Sequence, residues 1–296
     1  GECEYSLDQF SEAVLTYKQF LNNVSASVTP ENKTVNYNLA YAYFKIKEYE
    51  NAIPYFNTYI AQSKEDRNRL TDAYLRMADC NYISSKYWPA MDAYNKAIEL
   101  KCVDADYAAF QKGMSYGFVN KNDKKIEDLT KFVSTYKTSQ YLDDALYELG
   151  NTYTAEEMND KAISTFDNLI NNNKNSAYVA KSILKQGLIY YNTDKDDAAI
   201  TKFKKVVAEF PNSPESLEAV ATAKSIYKAN GKVGEYAAWV KTLSFVEVTD
   251  AELDNDMYES AEKQYLNNSP KKAIEGFTSY LAQFPNGLHA LKVHFY

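Results

Sequence analysis

One motif recurs along the chain and limits what it can fold into. Around Ala52, the residues Tyr49, Ala52, Ile53, Phe56 and Tyr59 are apolar at offsets of three and four, the spacing of one face of an amphipathic helix. The frame returns with Ala90, Tyr94 and Ala97, with Ala162, Phe166 and Leu169, with Ala199, Phe203 and Val206, and with Ala273, Phe277 and Tyr280. A first copy, Ala13, Tyr17 and Phe20, opens the chain, and weaker copies place Lys125, Leu129 and Phe132, then Glu235 and Trp239, on the same positions. The anchors at 13, 52, 90, 125, 162, 199, 235 and 273 are separated by 35 to 39 residues. So regular a period means stacked units, each in contact with its neighbours, rather than independent domains.

Twelve residues before each anchor lies a small residue: Ala40, Ala78, Gly113, Gly150, Gly187, Ala223 and Ala261. An aromatic follows three or four positions later, as Tyr43, Tyr82, Tyr116, Tyr153, Tyr190, Tyr227 and Tyr265. A small side chain lets two helices approach closely, and the Tyr fills the space beside that contact. The unit is therefore a helix A, a short turn and a helix B. Nine Gly and seven Pro are few for 296 residues, which leaves little to punctuate the turns of an all-β fold.

Stretches such as YELGNTYTAEEMNDKAISTFDNLI and LKQGLIYYNTDKDDAAITKFKKVVAEFP resemble the tetratricopeptide repeat. The resemblance implies an all-α superhelix, a solenoid of stacked antiparallel helix pairs. It covers 1–296 as a single array of about seven complete repeats, roughly 33–283, with a lone helix B at 9–22 and an unfinished helix A from 287. Charge replaces the small residue at Lys125 and Glu235, so irregular stacking is expected around 231–243. The joints FPNSPESLEA, YKTSQYLDDA and FPNGLHA pair a helix-stopping turn with Ser139 or Ser213 as a cap for the next helix. They are similar to the joints of bacterial cell-envelope repeat proteins, the outer-membrane assembly lipoproteins and the Tol-Pal-associated type. That likeness implies a cell envelope or periplasmic location, with the cytoplasm as the alternative. Because the chain begins and ends inside repeats, it looks like a piece of a larger bacterial protein.

Composition narrows the partners. A net charge of −7 argues against nucleic acid, since phosphate neutralisation needs a basic stripe and the clusters at Lys121–Lys125 and Lys202–Lys205 are flanked by acids. No apolar run approaches the ~20 residues of a membrane span. Cys3, Cys80 and Cys102 lack metal spacing and read as small packing residues, with a Cys80–Cys102 bridge left open. His289 and His294 stand five apart on a helix and diverge, so they do not chelate one metal. Asp194, Asp196 and Asp197 lack the central Gly and distal Glu of a calcium loop. No catalytic, metal or cofactor fingerprint is present, and the chain is expected not to be an enzyme.

In the resembled family helix A lines a concave face, with its second, fifth, ninth and twelfth positions pointing inward. Carried onto this chain, those positions give Tyr37, Tyr41 and Phe44, then Leu75, Asp79 and Tyr82, then Phe110 and Met114. Tyr147 and Asn151 follow, then Leu184, Leu188 and Tyr191, and finally Tyr258. The implied function is a scaffold or adaptor that binds a segment of a protein or peptide partner in an aromatic groove. The alternative is a structural, self-associating spacer of a larger envelope assembly.

Overall fold

The computed structural model describes residues 1–23, 29–63 and 65–296, and among these every regular element is a helix. They form two compact units, Gly1–Met158 and Asn159–Tyr296. The first holds α1 (Glu2–Ser6), α2 (Phe10–Asn23), α3 (Pro30–Lys45), α4 (Tyr49–Gln62) and α5 (Arg67–Ile83). It continues through α6 (Tyr87–Glu99), α7 (Ala105–Phe118), α8 (Asn122–Thr135) and α9 (Leu142–Ala155). The second holds α10 (Asn159–Asn172), α11 (Val179–Asn192), α12 (Asp196–Glu209) and α13 (Pro214–Ala229). It ends with α14 (Val233–Val240), α15 (Asp250–Leu266), α16 (Pro270–Gln283) and α17 (Ala290–Val293).

Within each unit the periodic residues close the hairpins. Ala13, Ala52, Ala90, Ala162 and Ala199 are fully buried at the fourth position of their B helices, and the aromatics four later (Phe56, Tyr94, Phe166, Phe203) are equally inaccessible. Close approach explains the small residue on helix A. A Cβ added at Gly187 would lie 2.5 Å from Phe203 Cε1, and one at Gly113 would lie 2.9 Å from Leu129 Cδ2. Phe20 is the exception in the frame, 38% exposed.

Every turn from an A helix to its B helix is built alike. A residue five before the anchor takes left-handed backbone: Lys47, Ser85, Asn120, Glu157, Asp194 and Asn268 have φ between 55° and 64°. The next amide then reaches back to a carbonyl in the last turn, as Glu48 N to Tyr43 O at 2.9 Å and Lys195 N to Tyr190 O at 2.9 Å, which closes a Schellman cap.

That turn corrects the register of one repeat. Gly231, φ 74°, occupies the left-handed position before α14, and five residues on is Tyr236, not Glu235. Tyr236 is 3% exposed and Val240 fully buried, whereas Glu235 faces solvent. One residue is inserted between Ala223 and the turn, so the helix rotates by about 100° and Glu235 and Trp239 leave the frame. Lys125, by contrast, does sit at its anchor, 9% exposed. Its Nζ reaches Glu148 Oε2 on α9 at 2.8 Å, and Gly117 on α7 leaves room for its stem.

Of the two caps expected, Ser213 Oγ accepts from Ser216 N at 3.1 Å and opens α13. Ser139 instead accepts from Tyr141 N at 3.1 Å and donates to Asp106 at 2.6 Å, so it orders the turn ahead of α9 rather than capping it.

Candidate functional site

In the first unit the A helices α3, α5 and α7 are joined through side chains that run along one face. Tyr37 and Tyr41, a turn apart on α3, stand with ring centroids 5.4 Å apart. Tyr37 Oη donates to Asp72 Oδ2 at 2.6 Å and Tyr41 Oη to Asp72 Oδ1 at 3.3 Å. Arg76, one turn beyond Asp72, donates through Nε to Tyr41 Oη at 3.2 Å and through Nη1 to Asp79 at 2.8 Å. Asp79 Oδ1 also accepts from Tyr94 at 2.8 Å and from Tyr107 at 3.0 Å. Burial pushes the Tyr37 and Tyr41 phenols above their ordinary range, and the Asp72 carboxylate adds to it. Burial also raises the Asp79 carboxyl, against the opposing pull of its three donors. These hydroxyls act as hydrogen-bond donors; none is poised as a base.

The groove positions read from the sequence divide by depth. Tyr37, Tyr41, Phe44, Tyr82, Phe110, Met114, Tyr147, Asn151 and Leu188 are half-buried, and Tyr191 is exposed. Leu75, Asp79, Leu184 and Tyr258 are between 2% and 5% exposed and pack inside their units, because neighbouring helices close over them. Asp79 serves as the tie between α5, α6 and α7 just described. Tyr258 stacks on His289 with centroids 4.1 Å apart and donates its hydroxyl to Glu262.

Two groups of the remaining residues meet. Tyr41 lies against Phe44, ring to ring at 6.1 Å. Met114 and Asn151, from α7 and α9, line one cavity of about 340 Å³ together with Phe118 and the Lys125–Glu148 pair. The Asn151 amide has no hydrogen-bond partner among the described residues. Phe118 stacks on Tyr87 at 4.7 Å and meets Tyr82 edge-on at 5.8 Å, which extends the cavity into an aromatic rim. Asp72, Arg76, Tyr87 and Phe118 belong to this face and were not among the positions read from the sequence. The i, i+4 spacing of Asp72 and Arg76 was the available signal.

Burial pushes the Cys80 thiol up to about 12 and the Cys102 thiol to about 11, so neither is a thiolate near neutrality. Among the described residues no group of acidic, His or Cys side chains is placed to hold a metal, and no helix is long and apolar enough to cross a membrane. Asp196 and Asp197 lie in the first turn of α12, where the helix dipole favours them, and Asp196 accepts from Asn230 at 2.7 Å.

Two tetratricopeptide repeat family models match the chain, one over residues 144–176 and 181–213, the other over residues 4–67. No curated protein matches by sequence. Among solved structures, the C-terminal part of a TPR repeat-containing protein from Cytophaga hutchinsonii is 14% identical, covers 99% of this chain and 97% of its own, and gives a TM-score of 0.54. A tetratricopeptide repeat protein from Parabacteroides merdae is 12% identical, covers 89% of this chain and 97% of its own, and gives 0.52. Identities this low speak to the fold alone. Family models and fold together support a place among the tetratricopeptide repeat proteins.

Proposed function

We propose that the chain is a protein-binding adaptor whose helix A face in Gly1–Met158 holds an extended segment of a partner protein. One observation carries this: the unpartnered Asn151 amide opens into the Met114 cavity, beside the Tyr82–Tyr87–Phe118 rim. Aromatic side chains offer contact area at low entropic cost, and a free amide pairs with the backbone of an extended peptide. Tetratricopeptide repeat proteins bind protein or peptide partners, which agrees with a binding rather than a catalytic role. The triple variant Phe44→Ala/Met114→Ala/Asn151→Ala, with helix content checked by circular dichroism, is the test. Partners captured by the wild-type chain are lost to the variant; equal recovery refutes the site. Concentration-dependent dimers in sedimentation, with no partner captured, would favour the self-associating spacer.

The joints at 136–145, 210–219 and 284–290 support a further proposal, that the native protein works in a bacterial cell envelope. Fractionation of cells making the native protein tests it, and recovery wholly in the cytosol rejects it.

A further inference from the structure

A second surface lies on the other side of the same unit. On α5, Asp72, Arg76 and Asp79 point to the helix A face described above. At about 100° per residue, Tyr74, Met77 and Asn81 point roughly the opposite way. There they join residues of α4, α6 and α7 around a groove of about 790 Å³. Its floor is apolar, from Ile53, Met77 and Met91, and at one wall Trp88 stands 54% exposed. The Trp88 ring meets Tyr116 edge-on, centroids 6.4 Å apart and planes at 86°, so the two rings form an open corner.

The polar groups of this groove select among ligands. The Tyr74 and Tyr116 hydroxyls and the Asn57 amide make no hydrogen bond within the described residues. A docked helix satisfies its own backbone and has no use for such donors. An extended segment, above all polyproline II with no internal hydrogen bonds, presents free carbonyls to them. Proline-rich segments dock in grooves lined by aromatic side chains. Charge adds a second choice. Lys96 is paired with Glu99 at 2.8 Å and also feels the Asp92 carboxylate, and Lys112 is paired with Asp128 at 3.2 Å, so three carboxylates stand against two ammonium groups. The unmatched charge of the groove is therefore negative.

We infer that this groove, bounded by Trp88, Tyr116 and Asp92, binds a proline-rich extended segment carrying a basic residue. The site is separate from the helix A face and its occupancy does not require that face to be filled.

The test uses the full chain and a short fluorescent peptide of repeated Pro-Pro-Ala triplets with one Arg. Trp239→Phe leaves Trp88 as the sole indole, since the chain has two Trp. The expected result is a saturable change in both peptide anisotropy and Trp88 emission. Trp88→Ala weakens binding by about tenfold or more, as loss of an aromatic hot spot does. Asp92→Lys, at an exposed position, weakens the Arg peptide several-fold and leaves a Gln-for-Arg peptide unchanged. The triple variant of the helix A face binds the peptide as the wild type does, so this site and the adaptor site fail or stand separately. Absence of saturation up to about 1 mM peptide, undiminished binding by Trp88→Ala, or preference for an amphipathic helical peptide of equal charge each overturns the inference.

Discussion

Left-handed backbone recurs at the turns, yet only one of these positions carries Gly. An L side chain there costs about 1–2 kcal/mol relative to right-handed backbone, while Gly gives back about 0.5–1 kcal/mol in unfolded-chain entropy. Lys47, at φ 64°, therefore holds its turn at a net loss. Lys47→Gly is expected to stabilise the first unit by up to about 1 kcal/mol, and Gly231→Ala to destabilise the second by about the same. A Cβ at Gly231 would meet Gln264 Cγ at 3.5 Å, an ordinary contact, so backbone strain and not crowding sets that loss. Urea titrations of each variant measure it, and an unchanged midpoint for Gly231→Ala contradicts it. Gly187 is the opposite case. Its backbone is helical, but Phe203 blocks any Cβ, so Gly187→Ala should cost about 1–3 kcal/mol through overpacking.

At the scale of elements, the B helices were legible because Ala and an aromatic four residues on form a pattern that needs no knowledge of neighbours. The register of α14 was not. Its true anchor is Tyr236, and the structural marker, the left-handed residue at 231, is carried elsewhere by Lys, Ser, Asn, Glu or Asp, so no single residue type announces it. The helix A face was legible in position but not in depth. Asp79 and Asn151 occupy the same place in their repeats; Tyr94 and Tyr107 reach across to bury one, while the other opens into a cavity. Such differences depend on the adjacent repeat. In the second unit the same dependence yields an acid-sensitive joint. Lys224 and Lys228 of α13 both reach Asp256 of α15, at 2.7 and 2.8 Å. Burial pushes the Asp256 carboxyl up, but its bonds to the two ammonium groups outweigh burial and hold it below the ordinary aspartate value. A lowered folded-state pKa means stability present above the unfolded value, near pH 4, and lost as pH falls through the folded one. Amide exchange over α15 is expected to accelerate below about pH 4. Asp256→Asn should flatten that response, and a wild-type profile in the variant would assign the acid loss elsewhere.

For the whole molecule, repeat energetics predict that damage stays local. Stability in a stacked array is approximately a sum of unit terms and nearest-neighbour terms, so a lost contact lowers its own unit most. The chain carries a reporter in each unit. Cys80 and Cys102 are buried in Gly1–Met158, and Trp239 lies in Asn159–Tyr296. With Cys3→Ser and Trp88→Phe, thiol labelling reads the first unit and indole fluorescence the second. Phe56 is fully buried and packs edge-on against both Tyr37 and Tyr41, with centroids 6.3 and 6.1 Å away. Phe56→Ala should therefore cost about 3–5 kcal/mol of core packing. In urea, labelling of Cys80 and Cys102 is expected to begin at clearly lower denaturant, while the Trp239 transition moves much less. If both probes shift together by the same amount, the chain unfolds as one cooperative body, and damage does not stay local.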